Sequence, residues 1–401
     1  MNELKLRFKE FSGEWENQKL ENVVDRVTRK NKNLESKLPL TISAERGLVD
    51  QITYFNKSIA GKDLSGYYLL KSGEFAYNKS YSNGYPWGAI KRLDNYEMGV
   101  LSTLYICFKA TNIHGDFLKH YFETDKWYKG VSMMAAEGAR NHGLLNIAVN
   151  DFFKIHLSFP EENEQRKIAA FFEKLNQKIQ FQQQKIDLLQ KQKKGYMHRI
   201  FEQEIPFKDE NGGNHFEWRE LAVSDILILH LREIPKPNES YIRLGLRSHA
   251  KGTFHEIIDN PETITMDKLF VVHEGDFIIN ITFAWEQALA ILDKEDHGKL
   301  VSHRFPTYRF NEGHYSGFYK YYFTTKYFKY CLGNASPGGA GRNRVLNKKD
   351  FMNIIVKVPK YEEQIKIANF LSKLDEKIQL EEKKLEDLKK QKKGFMQQMF
   401  I

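Results

Sequence analysis

Cysteine is nearly absent from this chain: two among 401 residues, Cys107 and Cys331, with no Cys-x-x-Cys pair and no Cys/His cluster at metal-ligand spacing. That argues against a disulfide framework and against a structural zinc site. No run of about 18 apolar residues occurs, and the opening MNELKLRFKEF lacks the apolar core of a secretory signal, so a soluble cytoplasmic protein is expected, with no membrane partner. A phosphate-binding Gly-x-x-x-x-Gly-Lys loop, an Asn-Pro-Pro-aromatic methyltransferase motif, a Gly-x-Ser-x-Gly elbow and a His-Glu-x-x-His pair are all missing. The acidic run from Asp293 to Asp296 reads as a solvated loop rather than a carboxylate cluster. His303 has no identifiable second catalytic group. The expectation is a binding protein without catalytic residues or a metal site.

What the chain does have is apolar material and repetition. At 41% hydrophobic and 13% aromatic, it can fill two or three folded domains. Its net charge of +9 points, weakly, to a polyanionic partner. Two segments match at a fixed offset: ENEQRKIAAFFEKLNQKIQ after Pro160, closing with KQKKGYMHRIF, and YEEQIKIANFLSKLDEKIQ after Lys360, closing with KQKKGFMQQMF. Of the 42 positions aligned from Pro160 to Phe201, 21 are identical, so the similarity is a duplication rather than chance.

The spacing of apolar residues in these segments defines their structure. Ile168, Phe172, Leu175, Ile179, Ile186 and Leu189 step by fours and threes, and Ile367, Leu371, Leu374, Ile378, Leu385 and Leu388 repeat the pattern, which is the heptad seam of a coiled coil. Gln182, Lys193, Glu381 and Lys392 interrupt the seam and are expected to weaken pairing while fixing register. Acidic first turns and Lys-rich ends suit the helix dipole. A helix of about 36 residues would span roughly 54 Å. Burial of these stripes against a globular core is the alternative reading; two matching seams in one chain favour helices packing on each other.

The segments between the helices echo each other more faintly. GEFAYNKS at Gly73 parallels GDFIINIT at Gly275, FLKHYFET at Phe117 parallels FYKYYFTT at Phe318, and Leu145-Asn146 parallels Leu346-Asn347. Short alternating runs rich in Tyr, Phe, Ile and Val predict mixed α/β (α+β) domains with irregular antiparallel sheet. The predicted organisation is a globular domain over residues 1–160, a helix over 161–201, a second globular domain over 202–359 and a helix over 360–401. The two helices should lie antiparallel as a coiled-coil spacer, giving an internal pseudo-twofold duplication.

Charge is unevenly distributed in the second domain. Residues 202–298 hold 9 basic and 19 acidic side chains, whereas 299–349 hold 10 basic and only one acidic, Glu312. This stretch interleaves Arg and Lys with tyrosines, a composition suited to phosphates and base edges. Within it, His303, Arg304, Tyr308 and the glycine-loop residues Arg342, Asn343 and Arg344 are candidate DNA contacts. In the first domain the candidates are Lys79, Tyr81, Ser82, Asn83, Tyr85 and Trp87 in a loop rich in hydrogen-bonding and aromatic groups, with Arg140 and Asn141.

Layout and motifs together resemble the specificity subunit of type I restriction-modification enzymes, over the whole chain. NEQRKIAAFFEKLNQKI, EEQIKIANFLSKLDEKI and the two KQKKG closings resemble that family's conserved spacers, while VSHRFPTYRF at Val301 with ASPGGAGRNRVLNKKDF at Ala335 resembles one subtype of its target recognition domains. The first domain departs from that pattern and carries VLSTLYICF at Val100, so its target should differ. The resemblance implies a non-catalytic subunit whose two domains each read one half of a bipartite double-stranded DNA target. It further implies docking of methyltransferase subunits, which methylate adenine, and of motor-nuclease subunits. S-adenosylmethionine, ATP and Mg would belong to those partners, and this chain would bind no cofactor. A structural tether without DNA affinity, and an RNA-binding or nuclease-like enzyme, remain as other readings; the latter would need a stacking motif or carboxylate cluster, and neither is evident.

Overall fold

The computed structural model describes residues 4–57, 59–82, 84–134, 145, 147–205, 218–338 and 344–401. The chain divides into two compact units, residues 1–183 with 383–401 and residues 184–382. The division falls inside both long helices, Glu162–Phe201 and Tyr361–Gln398, so each unit combines one globular domain with a portion of each helix.

The two units are built on one plan. In the first, Glu16–Lys19 pairs antiparallel with His156–Phe159, joining the beginning of the domain to its end. In the second, Arg219–Ala222 pairs in the same way with Ile355–Val358. The core of the first unit is an antiparallel sheet in the order Val24–Arg26, Ile106–Ala110, Phe75–Asn78, Ala89–Arg92. Its counterpart runs Leu227–Leu229, Thr307–Phe310, Phe277–Ile279, Leu289–Ile291. Phe75 faces Phe108 across the strands, and Phe277 faces Tyr308. Around this shared sheet the units diverge. The first adds two-stranded ribbons, Leu40–Ser43 with Gly47–Asp50 and Tyr68–Lys71 with Met98–Leu101. The second adds a five-stranded mixed sheet that includes the hairpin Tyr241–Leu246 with Thr253–Ile258.

Each helix begins with the same clamp. Gln165 donates to the Pro160 carbonyl at 2.7 Å and accepts from the His114 amide at 2.8 Å; Gln364 donates to Pro359 at 3.0 Å and accepts from Tyr315 at 2.8 Å. Both glutamines are buried, so each satisfies backbone groups that would otherwise be orphaned where a loop meets a helix. Glu162 and Glu164 in one first turn, and Glu362 and Glu363 in the other, favour the helix N-termini.

The apolar stripes turn out to serve two partners. Ile168, Ala169 and Phe172 enter the core of the first globular domain with Trp15, Phe117 and Phe400, while Ile367, Ala368 and Leu371 enter that of the second with Phe318. Further along, the helices pair with each other, antiparallel in each unit. In the second unit Lys185 meets Glu381, Lys193 meets Asp375 and Tyr196 packs edge-on against Phe370; in the first, Phe171 packs edge-on against Phe395. Ile186, Leu189, Ile378, Leu385 and Leu388 are buried, and Leu175, Ile179 and Leu374 are half-buried. The seam expectation therefore holds both readings at once, because a heptad stripe does not distinguish a helix from a sheet as its partner.

Candidate nucleic-acid interface

Each globular domain presents a loop directly after its central strand. In the first unit the strand ends at Asn78, whose Oδ1 accepts the Ser80 amide at 3.0 Å; in the second, Asn280 accepts the Thr282 amide at the same distance. Such side-chain turns end a strand because Asn offers the backbone a local partner. One residue further, Tyr81 and Phe283 project aromatic rings, 56% and 39% exposed. A backbone strap pins both loops. The Leu145 amide donates to the Lys79 carbonyl at 2.9 Å, and the Leu346 amide donates to the Ile281 carbonyl at 2.8 Å.

In the first domain, Tyr85 returns the chain through a tight turn with Ser82, its amide donating to the Ser82 carbonyl at 2.9 Å. Burial raises the pKa of the Tyr85 hydroxyl, with Glu45 and Glu123 adding to the effect. Trp87 is half-buried against the domain core. The Tyr77 hydroxyl donates to the Trp87 carbonyl at 2.8 Å. Gly88 adopts φ +78°, and a Cβ there would lie 2.1 Å from the Asn78 carbonyl oxygen, so only glycine permits the loop to return. Lys79 and Trp87 thus shape the loop, while Tyr81 and Ser82 are exposed at its tip.

In the second domain, His303 and Arg304 are exposed on the turn between Leu300–Val301 and Thr307–Phe310. The Ile281 amide donates to the Arg304 carbonyl at 3.0 Å, joining this turn to the Phe283 loop. The Arg344 guanidinium lies over the Trp285 ring, 5.3 Å from its centroid. Arg304, Arg344, Phe283 and Trp285 are thereby brought onto connected segments.

Several sequence expectations change here. Tyr308 is not a surface contact: it is 2% exposed, opposite Phe277 in the core, and burial pushes its hydroxyl up to about 12. Of the other tyrosines in the basic stretch, Tyr319, Tyr321 and Tyr322 are also core residues; the stretch alternates because a helix buries one face, and its lysines cover the other. The Asp293–Asp296 run is not wholly solvated, since Asp296 is buried and its carboxylate meets His255 Nε2 at 2.8 Å. Asn83, Arg140, Asn141, Arg342 and Asn343 lie outside the described residues. Phe283 and Trp285 were missed by sequence reasoning, although continuing the GEFAYNKS and GDFIINIT alignment would have reached Phe283 beside Tyr81. Among the described residues, no group of three or more His, Cys, Asp or Glu side chains is placed to hold a metal ion, and no helix is long and apolar enough to cross a membrane.

Two domains are built on one plan, each offering a pinned loop with polar and aromatic residues. Residues 241–390 match the family model described as the Type I restriction modification DNA specificity domain. The type I restriction enzyme MjaX specificity subunit of Methanocaldococcus jannaschii is 26% identical over 278 residues, covering 67% of this chain; the match spans 63% of that relative's length. Among solved structures, a chain described under complex assembly and conformational transition of the type I R-M system superposes with TM-score 0.59 at 15% identity, covering 97% of this chain and 98% of the other. The S subunit of a type I restriction-modification system from M. genitalium does so with TM-score 0.53 at 15% identity, covering 99% of each. At that identity the two structures speak to the fold alone. The chain is thus similar in fold to these type I restriction-modification chains across its length, and residues 241–390 carry the sequence similarity to the specificity domain.

Proposed function

We propose that this chain is the non-catalytic DNA-reading subunit of a type I restriction-modification system. Each globular domain, residues 1–160 and 202–359, reads one half of a bipartite duplex target. The helical segments 161–201 and 360–401 set the spacing of the half-sites and dock methyltransferase subunits, directing adenine methylation; motor-nuclease subunits complete restriction. S-adenosylmethionine, ATP and Mg are assigned to those partners, and the complex to the cytoplasm. Phe181 and Leu380 hold matching places in the helical repeat and are 67% and 54% exposed, which suits docking of equivalent partner surfaces.

The observation that carries this reading is the repetition of one loop frame, with Asn78 and Asn280 making the same turn and Leu145 and Leu346 the same strap, beneath different side chains. A common scaffold with different tips is what reading two different half-sites requires. The test exchanges residues 1–160 for the corresponding domain of another specificity subunit and maps adenine methylation in cells that also supply the methyltransferase. One half of the recognised site should change and the other should persist; a change in both halves, or in neither, overturns the proposal.

A further inference from the structure

The turn that carries His303 and Arg304 has a counterpart in the first domain. The Arg304 amide donates to Ser302 Oγ at 3.4 Å and the Phe305 amide to the Ser302 carbonyl at 3.0 Å. In the first domain the Leu104 amide donates to Ser102 Oγ at 3.3 Å and the Tyr105 amide to the Ser102 carbonyl at 3.2 Å. Both turns feed the strand whose aromatic residue, Phe108 or Tyr308, faces the Phe of the central strand. Leu104 therefore stands where Arg304 stands. It is 71% exposed, on a four-residue turn whose flanking residues Val100, Leu101, Ile106 and Cys107 are all buried. The first domain places an aliphatic side chain in solvent at the position where the second places a guanidinium.

Resting on the DNA-reading function proposed above, we propose that Leu104 and Arg304 are equivalent specificity-determining residues, each setting one base pair in its own half-site. A guanidinium is suited to the O6 and N7 acceptors of guanine, which it can take with two parallel hydrogen bonds. A leucine offers no hydrogen bond and is suited to the 5-methyl group of thymine, the apolar feature of the major groove. The serine turn supplies the same backbone trajectory to both side chains, so the base preference follows from the side chain alone. Arg304 selects guanine, and Leu104 selects thymine.

The experiment uses the full chain with its methyltransferase partner and reads the methylated motif across a genome for the wild type, Leu104→Arg and Arg304→Leu. Leu104→Arg should convert one thymine position in one half to guanine and leave the other half untouched. Arg304→Leu should relax a single guanine position in the opposite half. Purified wild-type complex should also lose about four-fold in methylation rate when uracil replaces that thymine in a duplex carrying the mapped motif, the worth of one buried methyl group; Leu104→Ala should be indifferent to the exchange. An unchanged motif in Leu104→Arg, or equal sensitivity to uracil in wild type and Leu104→Ala, overturns the assignment while leaving the DNA-reading function intact. If Leu104→Arg abolishes methylation, Leu104→Ala decides: a relaxed single position supports the proposal, and the wild-type motif with no relaxation overturns it. A wild-type chain that directs no bipartite methylation defeats the underlying function instead.

Discussion

Lys392, near the end of the terminal helix, places Nζ 2.8 Å from Oε2 of Glu123 in the first globular domain. Its repeat counterpart Lys193 is paired with Asp375 on the neighbouring helix, and the other oxygen of Asp375 accepts the Tyr321 hydroxyl at 2.8 Å. The two KQKKG closings therefore use the same lysine for different attachments. In one unit the carboxylate belongs to the domain; in the other it belongs to the helix pair, where Asn176 stands at the matching place in the first unit. Each lysine is only about a fifth exposed, so neither pair is a freely solvated surface bridge.

Glu123 should make stability depend on pH. Burial by itself would raise its pKa, but His120, whose Nδ1 lies 3.7 Å away, and the Lys392 charge hold it down to about 2. A depressed carboxylate contributes stability that is fully present above its ordinary value of 4.5 and is lost as pH falls toward 2. Glu123→Gln should cost about 1 to 3 kcal/mol at pH 7 and converge with the wild type near pH 2. Thermal melts of both proteins across that range check the sign.

Glu381 is 4% exposed within the helix pair and is bridged to Lys185 at 3.0 Å. A buried ion pair is seldom as favourable as well-packed hydrocarbon of similar size. Glu381→Leu should therefore leave the midpoint of thermal unfolding unchanged or raise it, by an equivalent of about 1 kcal/mol. A fall of several degrees would show that the ion pair contributes net stability.

Phe172 is fully buried, with Phe171, His120 and Phe400 around it. Phe172→Ala should destabilise the first unit by about 3 to 5 kcal/mol, the usual cost of an aromatic cavity. Denaturant titration followed by tryptophan fluorescence reports it, because Trp15 and Trp127 share that core.

Gly88→Ala has no room for its methyl group beside the Asn78 carbonyl and must also hold φ at +78°. The loop carrying Tyr81 should reorganise, relaxing base preference in one half of the mapped methylation motif while the other half stays sharp. Equal loss in both halves would mean that the loop acts through global stability.

Arg344 is stacked on Trp285, not paired with a carboxylate among the described residues. Arg344→Ala should leave the melting temperature within about 0.5 kcal/mol of wild type and weaken DNA binding. If it meets a phosphate, the slope of log affinity against log salt should fall by about one; if it meets a base, specificity should relax by about 1 to 3 kcal/mol at one position. Salt titration on the mapped motif separates the two.

The sequence by itself determined the duplication, the two long helices and the order of domains. Those features are periodic or locally signalled, and the match around KQKKG and the acidic helix starts survives without any knowledge of contacts. It also located the Lys79–Trp87 loop, where glycine and asparagine mark chain reversal, and singled out His303 and Arg304 within the basic stretch; that these two stand on a turn came from the structure. Only tertiary structure decided which side chains face outward. Tyr308 reads like a basic-patch tyrosine but lies opposite Phe277 across the sheet, and Ile168 and Phe172 read as helix-pairing residues but enter a domain core. The contrast between VLSTLYICF at Val100 and VSHRFPTYRF at Val301 marked a difference between the domains, but it did not single out Leu104, because an exposed leucine becomes informative only when the turn that holds it matches the turn that holds Arg304. Periodicity records that a residue is apolar; which surface covers it, or whether any does, depends on contacts between segments far apart in the chain.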